Sequence, residues 1–148
     1  MREKARRLAR GLVPRDVEAP ELEAALEGLA LQVDQTEGIS CRFRCEGRQR
    51  VPDARTATQL YRIAQEAVTN LVRHSGAEHV EIALTSDQAA TVLEVCDDGE
   101  GLLPEQLGKK GMGLQIMRYR AGLIGATLSV ESSPGGGTRV RCRLPGKK

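Results

Sequence analysis

The feature that most constrains the fold is the stretch from Leu60 to His74, which reads L-Y-R-I-A-Q-E-A-V-T-N-L-V-R-H. Its apolar residues recur at the i, i+3, i+4, i+7 spacing, which places them on one face of a helix and predicts that this face is buried. Beside that face, Glu66, Asn70 and Arg73 are separated by four and three residues, so their side chains stack over successive turns. An ordinary amphipathic helix with polar residues beside its apolar face would explain this stretch alone. Whether this polar row of three side chains is functional depends on the other motifs.

Composition favours one globular domain with an aliphatic core, because 40% of the 148 residues are hydrophobic and there is no Trp and one Phe. The net charge is only +2 and acids and bases are interspersed, so we expect partners to be recognised by specific sites and expect no nucleic-acid arm. No apolar run reaches the roughly 18 residues of a membrane-spanning helix, and the basic start lacks the apolar centre of a signal peptide. We therefore expect a cytoplasmic segment without direct membrane contact, whether or not the full-length protein is anchored.

The four cysteines favour buried thiols over a zinc site. They contain no C-x-x-C pair, and only two histidines could act as further ligands. Cys41 and Cys45 share one face of a predicted strand, and Cys142 shares a face of another with two aliphatic residues. We expect these faces to point into the core.

Periodicity and turn residues predict three helices and five strands after a short basic segment, residues 1–13, which resembles a helix remnant. The central helix should be capped by Asp53 or Thr56 and should end at Ser75-Gly76. Residues 102–110 have few apolar anchors and are typical of a mobile flap. The predicted helices lie at about 20–38, 53–75 and 112–123 and the strands at about 39–46, 80–84, 91–96, 126–131 and 139–144. This order predicts an α+β two-layer sandwich, in which a mixed, mostly antiparallel sheet carries its helices on one face.

Two glycine-containing motifs give the fold candidate chemistry. Asp97 ends a strand and is followed by D-G-E-G, so its carboxylate could accept a hydrogen bond from a base while glycines let the backbone approach the ring. Gly111 and Gly113 precede a helix, whose free N–H groups could bind phosphate. Asn70 could complete a Mg²⁺ shell there, because Mg²⁺ prefers oxygen ligands and keeps several waters. Each motif alone is also an ordinary turn.

Four motifs in this order and spacing, E-A-V-T-N followed by R-H, D-D-G-E-G, K-G-M-G-L and G-G-G-T, resemble the ATP-binding domain of sensor histidine kinases. Gyrase, Hsp90 and MutL ATPases share that Bergerat fold within the GHKL superfamily. L-Y-R-I-A-Q-E-A-V-T-N, the short flap and G-M-G-L-Q-I-M-R-Y-R-A resemble more narrowly the kinases that are paired with LuxR-type response regulators. The resemblance covers about residues 12–145, so we expect an ATP-binding catalytic domain at 14–148.

The resemblance also implies which residues touch ATP. Asp97 would accept a hydrogen bond from the adenine amino group. Gly99 and Gly101 would line the base, and Thr138 would support the floor of the pocket. The other implied contacts, most of them around the phosphates, are Asn70, Arg73, His74, Gly111, Gly113 and Leu114.

Two residues of the central helix are implied in catalysis. Asn70 would be the magnesium ligand, and Glu66 would be the acid that orients a metal-bound water or polarises the attacking group. Asp98 departs from the family, in which Asn is frequent, and adds a negative charge at this position. Neither His74 nor His79 resembles a phospho-accepting residue, and we expect His79 to border a strand.

The implied function is that of an ATP-dependent protein histidine kinase with little activity as an isolated domain. The γ-phosphoryl of Mg·ATP would pass to a histidine on a separate dimerisation domain of the full-length homodimer, and a response regulator would act downstream. Two alternatives remain: an anti-sigma-factor-like serine kinase, and a GHKL module that uses ATP as a conformational ligand.

Overall fold

The computed structural model describes residues 17–36, 38–47, 51–74, 76–99, 113–132 and 136–146, without the side chain of His74. Residues 1–13, the flap at 102–110, Gly101, Gly111 and the predicted helix start at Met112 lie outside these ranges. A 3₁₀ turn, Ala19–Glu21, precedes the first helix. In chain order the other elements are α1 Leu22–Thr36, β1 Ser40–Glu46, α2 Ala54–His74, β2 His79–Ser86, β3 Ala90–Asp97, α3 Gly113–Leu123, β4 Thr127–Ser132 and β5 Thr138–Pro145.

The described strands form one five-stranded sheet in the order β1-β2-β3-β5-β4. β1 pairs with β2 in parallel, whereas the pairs β2–β3, β3–β5 and β4–β5 are antiparallel. The helices lie on one side of this mixed sheet, and α2 packs against both α1 and α3. The predicted α+β sandwich is confirmed, and each described strand begins and ends within two residues of its predicted bounds.

The apolar stripe of α2 forms the centre of the core. Leu60, Ile63, Ala67 and Leu71 are fully buried, as the spacing predicts. Asp53 is the N-cap, because its Oδ1 accepts a hydrogen bond from the backbone N–H of Thr56 at 2.9 Å. The polar row of α2 therefore extends along the margin of a rigid, buried helix.

The cysteines divide between the two faces of the sheet. Cys41 and Cys142 are buried in the core, and burial raises the pKa of the two thiols to about 11 and about 12. Cys96 instead lies on the face of the sheet opposite the helices, half-buried beside Arg139. The prediction of buried core thiols is therefore correct for only some of the cysteines. Within the described ranges, no helix has the length and apolar character that a bilayer crossing demands.

Candidate functional site

Asn70 and Gly113 meet where α2 and α3 come together. A Cβ atom added to Gly113 would collide with the Asn70 amide, so the backbone of α3 begins directly against that side chain. The Nδ2 atom of Asn70 is buried and has no hydrogen-bond partner within the described part of the chain. Buried amides are normally hydrogen-bonded, so an unpartnered one marks a place where a ligand can supply the missing contacts.

The surroundings of Asn70 suit a phosphate with a hard cation. The first N–H groups of α3 have no partner within their own helix and carry the positive end of its dipole. The Asn70 amide offers an oxygen of the kind that Mg²⁺ prefers, and the half-buried carboxylate of Glu66 lies one turn earlier on the same helix. The orphaned amide and this donor set fit a magnesium–phosphate group.

Asp97 is held rigidly at the end of β3. Its side chain is buried, and Oδ1 accepts a hydrogen bond from the backbone N–H of Thr138 at 2.6 Å. Oδ2 accepts a longer hydrogen bond from the N–H of Gly99 at 3.3 Å. Because a carboxylate has about four acceptor positions, both oxygens retain capacity for a further donor such as an exocyclic amine.

The glycine turn before β5 is pressed against this acid. Gly137 has φ +92°, and a Cβ atom there would collide with the carbonyl oxygen of Asp97. A Cβ atom on Gly136 would instead make an ordinary van der Waals contact with the carbonyl oxygen of Gly99, at 3.6 Å. Thr138 follows and is fully buried, with its N–H on Asp97. Sequence reasoning assigned a role to Thr138 and missed Gly137, although the run of glycines before a threonine was the available signal.

Asp98 serves the start of β2. Its Oδ1 accepts hydrogen bonds from the N–H groups of Glu78 and His79, at 3.0 and 2.9 Å, and its Oδ2 lies 2.7 Å from Nδ1 of His79. The backbone hydrogen bond from His79, followed by that from its ring, lowers the pKa of Asp98 to about 2. His79 begins β2, as expected. The extra carboxylate is therefore engaged by the backbone and the ring at the start of β2.

The structure thus gathers the described candidates into two groups. Asn70, with Glu66 on the same helix, meets Gly113, while Asp97, Gly99 and Thr138 meet at the ends of β3 and β5. Leu114 is buried at the start of α3 and Arg73 is exposed on α2. α2 packs against both β3 and β5, so one helix connects the two groups.

Comparisons with known proteins agree with this arrangement. The family model for histidine kinase-, DNA gyrase B- and HSP90-like ATPases matches residues 55–148. The sensor histidine kinase MctS of Rhizobium johnstonii is 35% identical over 136 residues, which cover 90% of this chain and 30% of that protein. The sensor protein VraS of Staphylococcus haemolyticus is 38% identical over 86 residues, or 58% of this chain and 25% of VraS. The chain thus spans about a quarter to a third of these relatives.

Solved structures show the same fold. The ATP-binding domain of PrrB from Mycobacterium tuberculosis superposes with a TM-score of 0.68 and 26% identity, covering 92% of this chain and 98% of that one. A histidine kinase domain from the Erythrobacter litoralis blue-light activated kinase EL346 gives a TM-score of 0.63 at 24% identity, over 84% of this chain and 64% of that one.

Proposed function

The chain belongs to the family of histidine kinase-, DNA gyrase B- and HSP90-like ATPases, and from this premise we propose that it binds Mg·ATP with the phosphates between α2 and α3. We further propose that it presents the γ-phosphoryl group to a histidine of a separate dimerisation domain. The observation that carries the proposal is the unpartnered, buried Asn70 amide against Gly113 at the start of α3. A phosphate oxygen would accept a hydrogen bond from this Nδ2 donor, which leaves the amide oxygen for a cation.

Asn70 would hold the metal through its amide oxygen. A magnesium ion there would neutralise charge that builds on the phosphates during transfer, which is the main demand of this reaction. The N–H groups of Gly113 and Leu114 would hold phosphate oxygens. Glu66 would orient the attacking group, so catalysis would consist of positioning and electrostatic stabilisation.

Asp97 would select adenine. Its backbone partners, Thr138 and Gly99, fix the carboxylate so that no reorganisation is needed when the adenine amino group arrives. Gly99 would line the base, and the buried Thr138 would support the floor beneath it.

At the level of the whole protein, the proposal is a sensor histidine kinase. Its support is that MctS and VraS are named as sensor proteins and that this chain corresponds to a part of each. We assign residues 14–148 to the ATP-binding domain and residues 1–13 to a preceding helical segment. Partners would be the dimerisation domain of the same protein and a response regulator of the LuxR type.

Calorimetry of ATP binding in magnesium and in EDTA tests the proposal. We expect tight binding only with magnesium, because an uncompensated triphosphate would face the Glu66 carboxylate. Asn70→Ala should abolish most of the difference between the two buffers. Equal affinity of the wild-type chain in both buffers would remove Asn70 from the proposed role.

A further inference from the structure

The contact between α2 and α3 has a polar end that lies away from the nucleotide groups. Nη1 of Arg120, near the end of α3, donates a hydrogen bond to Oε1 of Gln59 on α2 at 3.0 Å. Both side chains are half-buried, so this bond is only partly exposed to competing water. It joins residues 61 positions apart in sequence, and neither residue is among those assigned to nucleotide contact.

The two helices are thus fixed to each other at two places. Asn70 of α2 meets Gly113 of α3 at one end, and Gln59 meets Arg120 at the other, so the helices run antiparallel. Arg120 lies seven residues after Gly113, which is about 10 Å along the helix axis.

Apolar packing fills the space between these two contacts. Met117 of α3, which lies between them, is buried in the common core, as are Ala121 just beyond and the stripe residues of α2. Such contacts are non-directional and constrain the axial position and rotation of a helix weakly, whereas a hydrogen bond demands a defined distance and angle. The Arg120–Gln59 bond therefore constrains the axial position and rotation of α3, which the apolar interface alone constrains weakly.

We propose that Arg120 is a positioning residue for the phosphate-binding end of α3. Its hydrogen bond to Gln59 sets the axial position of α3, which places Gly113 and the first N–H groups of the helix against Asn70. This inference rests on the proposed function, since it concerns the same site. The base group is independent of it, because Asp97 lies on β3 and is held by the backbone of β5.

The test compares the affinities of the chain for Mg·ATP and for adenosine by calorimetry. In Arg120→Ala, affinity for Mg·ATP should fall by about 5- to 10-fold, the worth of one hydrogen bond that orders a site, while affinity for adenosine stays unchanged. Arg118→Ala is the matched control, since Arg118 lies on the same helix, is exposed and makes no side-chain hydrogen bond within the described ranges. The exchange Gln59→Arg with Arg120→Gln should restore most of the lost affinity.

Other results would overturn the inference. Equal loss for both ligands, or a lower melting temperature with unchanged affinities, would make the bond a purely structural contact. If Arg120→Ala does not fold, Gln59→Ala removes the same bond from the other side. An unchanged ratio of Mg·ATP affinity to adenosine affinity in Gln59→Ala would likewise overturn the inference. Failure of the wild-type chain to bind Mg·ATP would instead count against the proposed function itself.

Discussion

Two neighbouring carboxylates show that the surroundings of a residue determine whether its side chain is buried and which groups it binds. Asp97 and Asp98 are adjacent in sequence. Asp97 is buried and accepts hydrogen bonds from the backbone N–H groups of Thr138 and Gly99, whereas Asp98 is exposed and is hydrogen-bonded to His79. The D-x-G-x-G pattern, together with the other motifs, predicts adenine recognition by the first, and this role stays a prediction. Nothing local could predict that of the second, because its partner lies 19 positions earlier in the chain.

Asp97→Asn should weaken binding of adenine nucleotides by about 1.5–3 kcal/mol, because an amide has one acceptor oxygen where the carboxylate has two. That oxygen can serve the N–H of Thr138, which leaves an amide donor facing the adenine amino group. Calorimetry with ATP and GTP measures the effect, and GTP should change far less. An equal loss for both nucleotides would show that Asp97 is only structural.

Asp98 should make the free energy of unfolding sensitive to acid. Its folded-state pKa of about 2 lies below the ordinary value of 3.8, so the unfolded chain binds the proton more readily. The contribution is present above the ordinary value and is lost as pH falls toward about 2. Denaturant titrations at a series of pH values should show a shallower loss of stability in Asp98→Asn. Identical curves for the two proteins would contradict the assignment.

At the scale of elements, the meeting of α2 and α3 depends on the missing Cβ atom of Gly113. Gly113→Ala should displace the Asn70 amide and weaken Mg·ATP binding, although alanine is the better helix former. Gly122→Ala is the control, because it lies on the same helix with open space around it. We expect it to stabilise the fold by up to about 1 kcal/mol without changing affinity. Calorimetry and denaturant titration of both variants separate the two effects, and an unchanged affinity in Gly113→Ala would argue against this contact.

The glycine turn before β5 allows a similar comparison. Gly137 and Gly125 both have positive φ, at +92° and +74°, but only the former has backbone, that of Asp97, where a Cβ would be. Alanine at Gly125 should cost about 1–2 kcal/mol of stability through backbone strain alone. Alanine at Gly137 should cost more and should also lower affinity for ATP, because Asp97 would be displaced. Equal effects of the two substitutions on affinity would disprove the specific contact.

Sequence periodicity sets the limits of what could be predicted about the elements. The stripe of α2 and the alternation in β3 are local, so both elements were predicted to within two residues. The parallel pairing of β1 with β2 and the place of β5 between β3 and β4 depend on contacts between distant segments. The Arg120–Gln59 bond was missed for the same reason, since the two residues lie 61 positions apart and no local pattern pairs them.

For the whole molecule, one core supports both halves of the site. α2 contributes the polar row on its margin and contacts both the strands that hold Asp97 and the helix that begins at Gly113. A nucleotide site built this way can be complete within the domain, while the proposed acceptor of the phosphate would lie elsewhere. The proposal therefore separates binding, which this chain should perform alone, from transfer, which it should not.

Incubation with γ-labelled ATP tests this separation: the isolated chain should stay unlabelled, whereas an added dimerisation domain from the same kinase should acquire phosphohistidine. Orientation of the reacting groups can supply roughly 7–11 kcal/mol of a barrier, and without an acceptor that contribution is lost. Turnover by the chain alone should therefore be very slow. Asn70→Asp and Glu66→Ala should each reduce transfer to the added domain, since the first alters the proposed metal ligand and the second removes the proposed orienting acid. An acid-labile, base-stable label on His74 or His79 of the wild-type chain would place the acceptor within this domain and refute the division of roles.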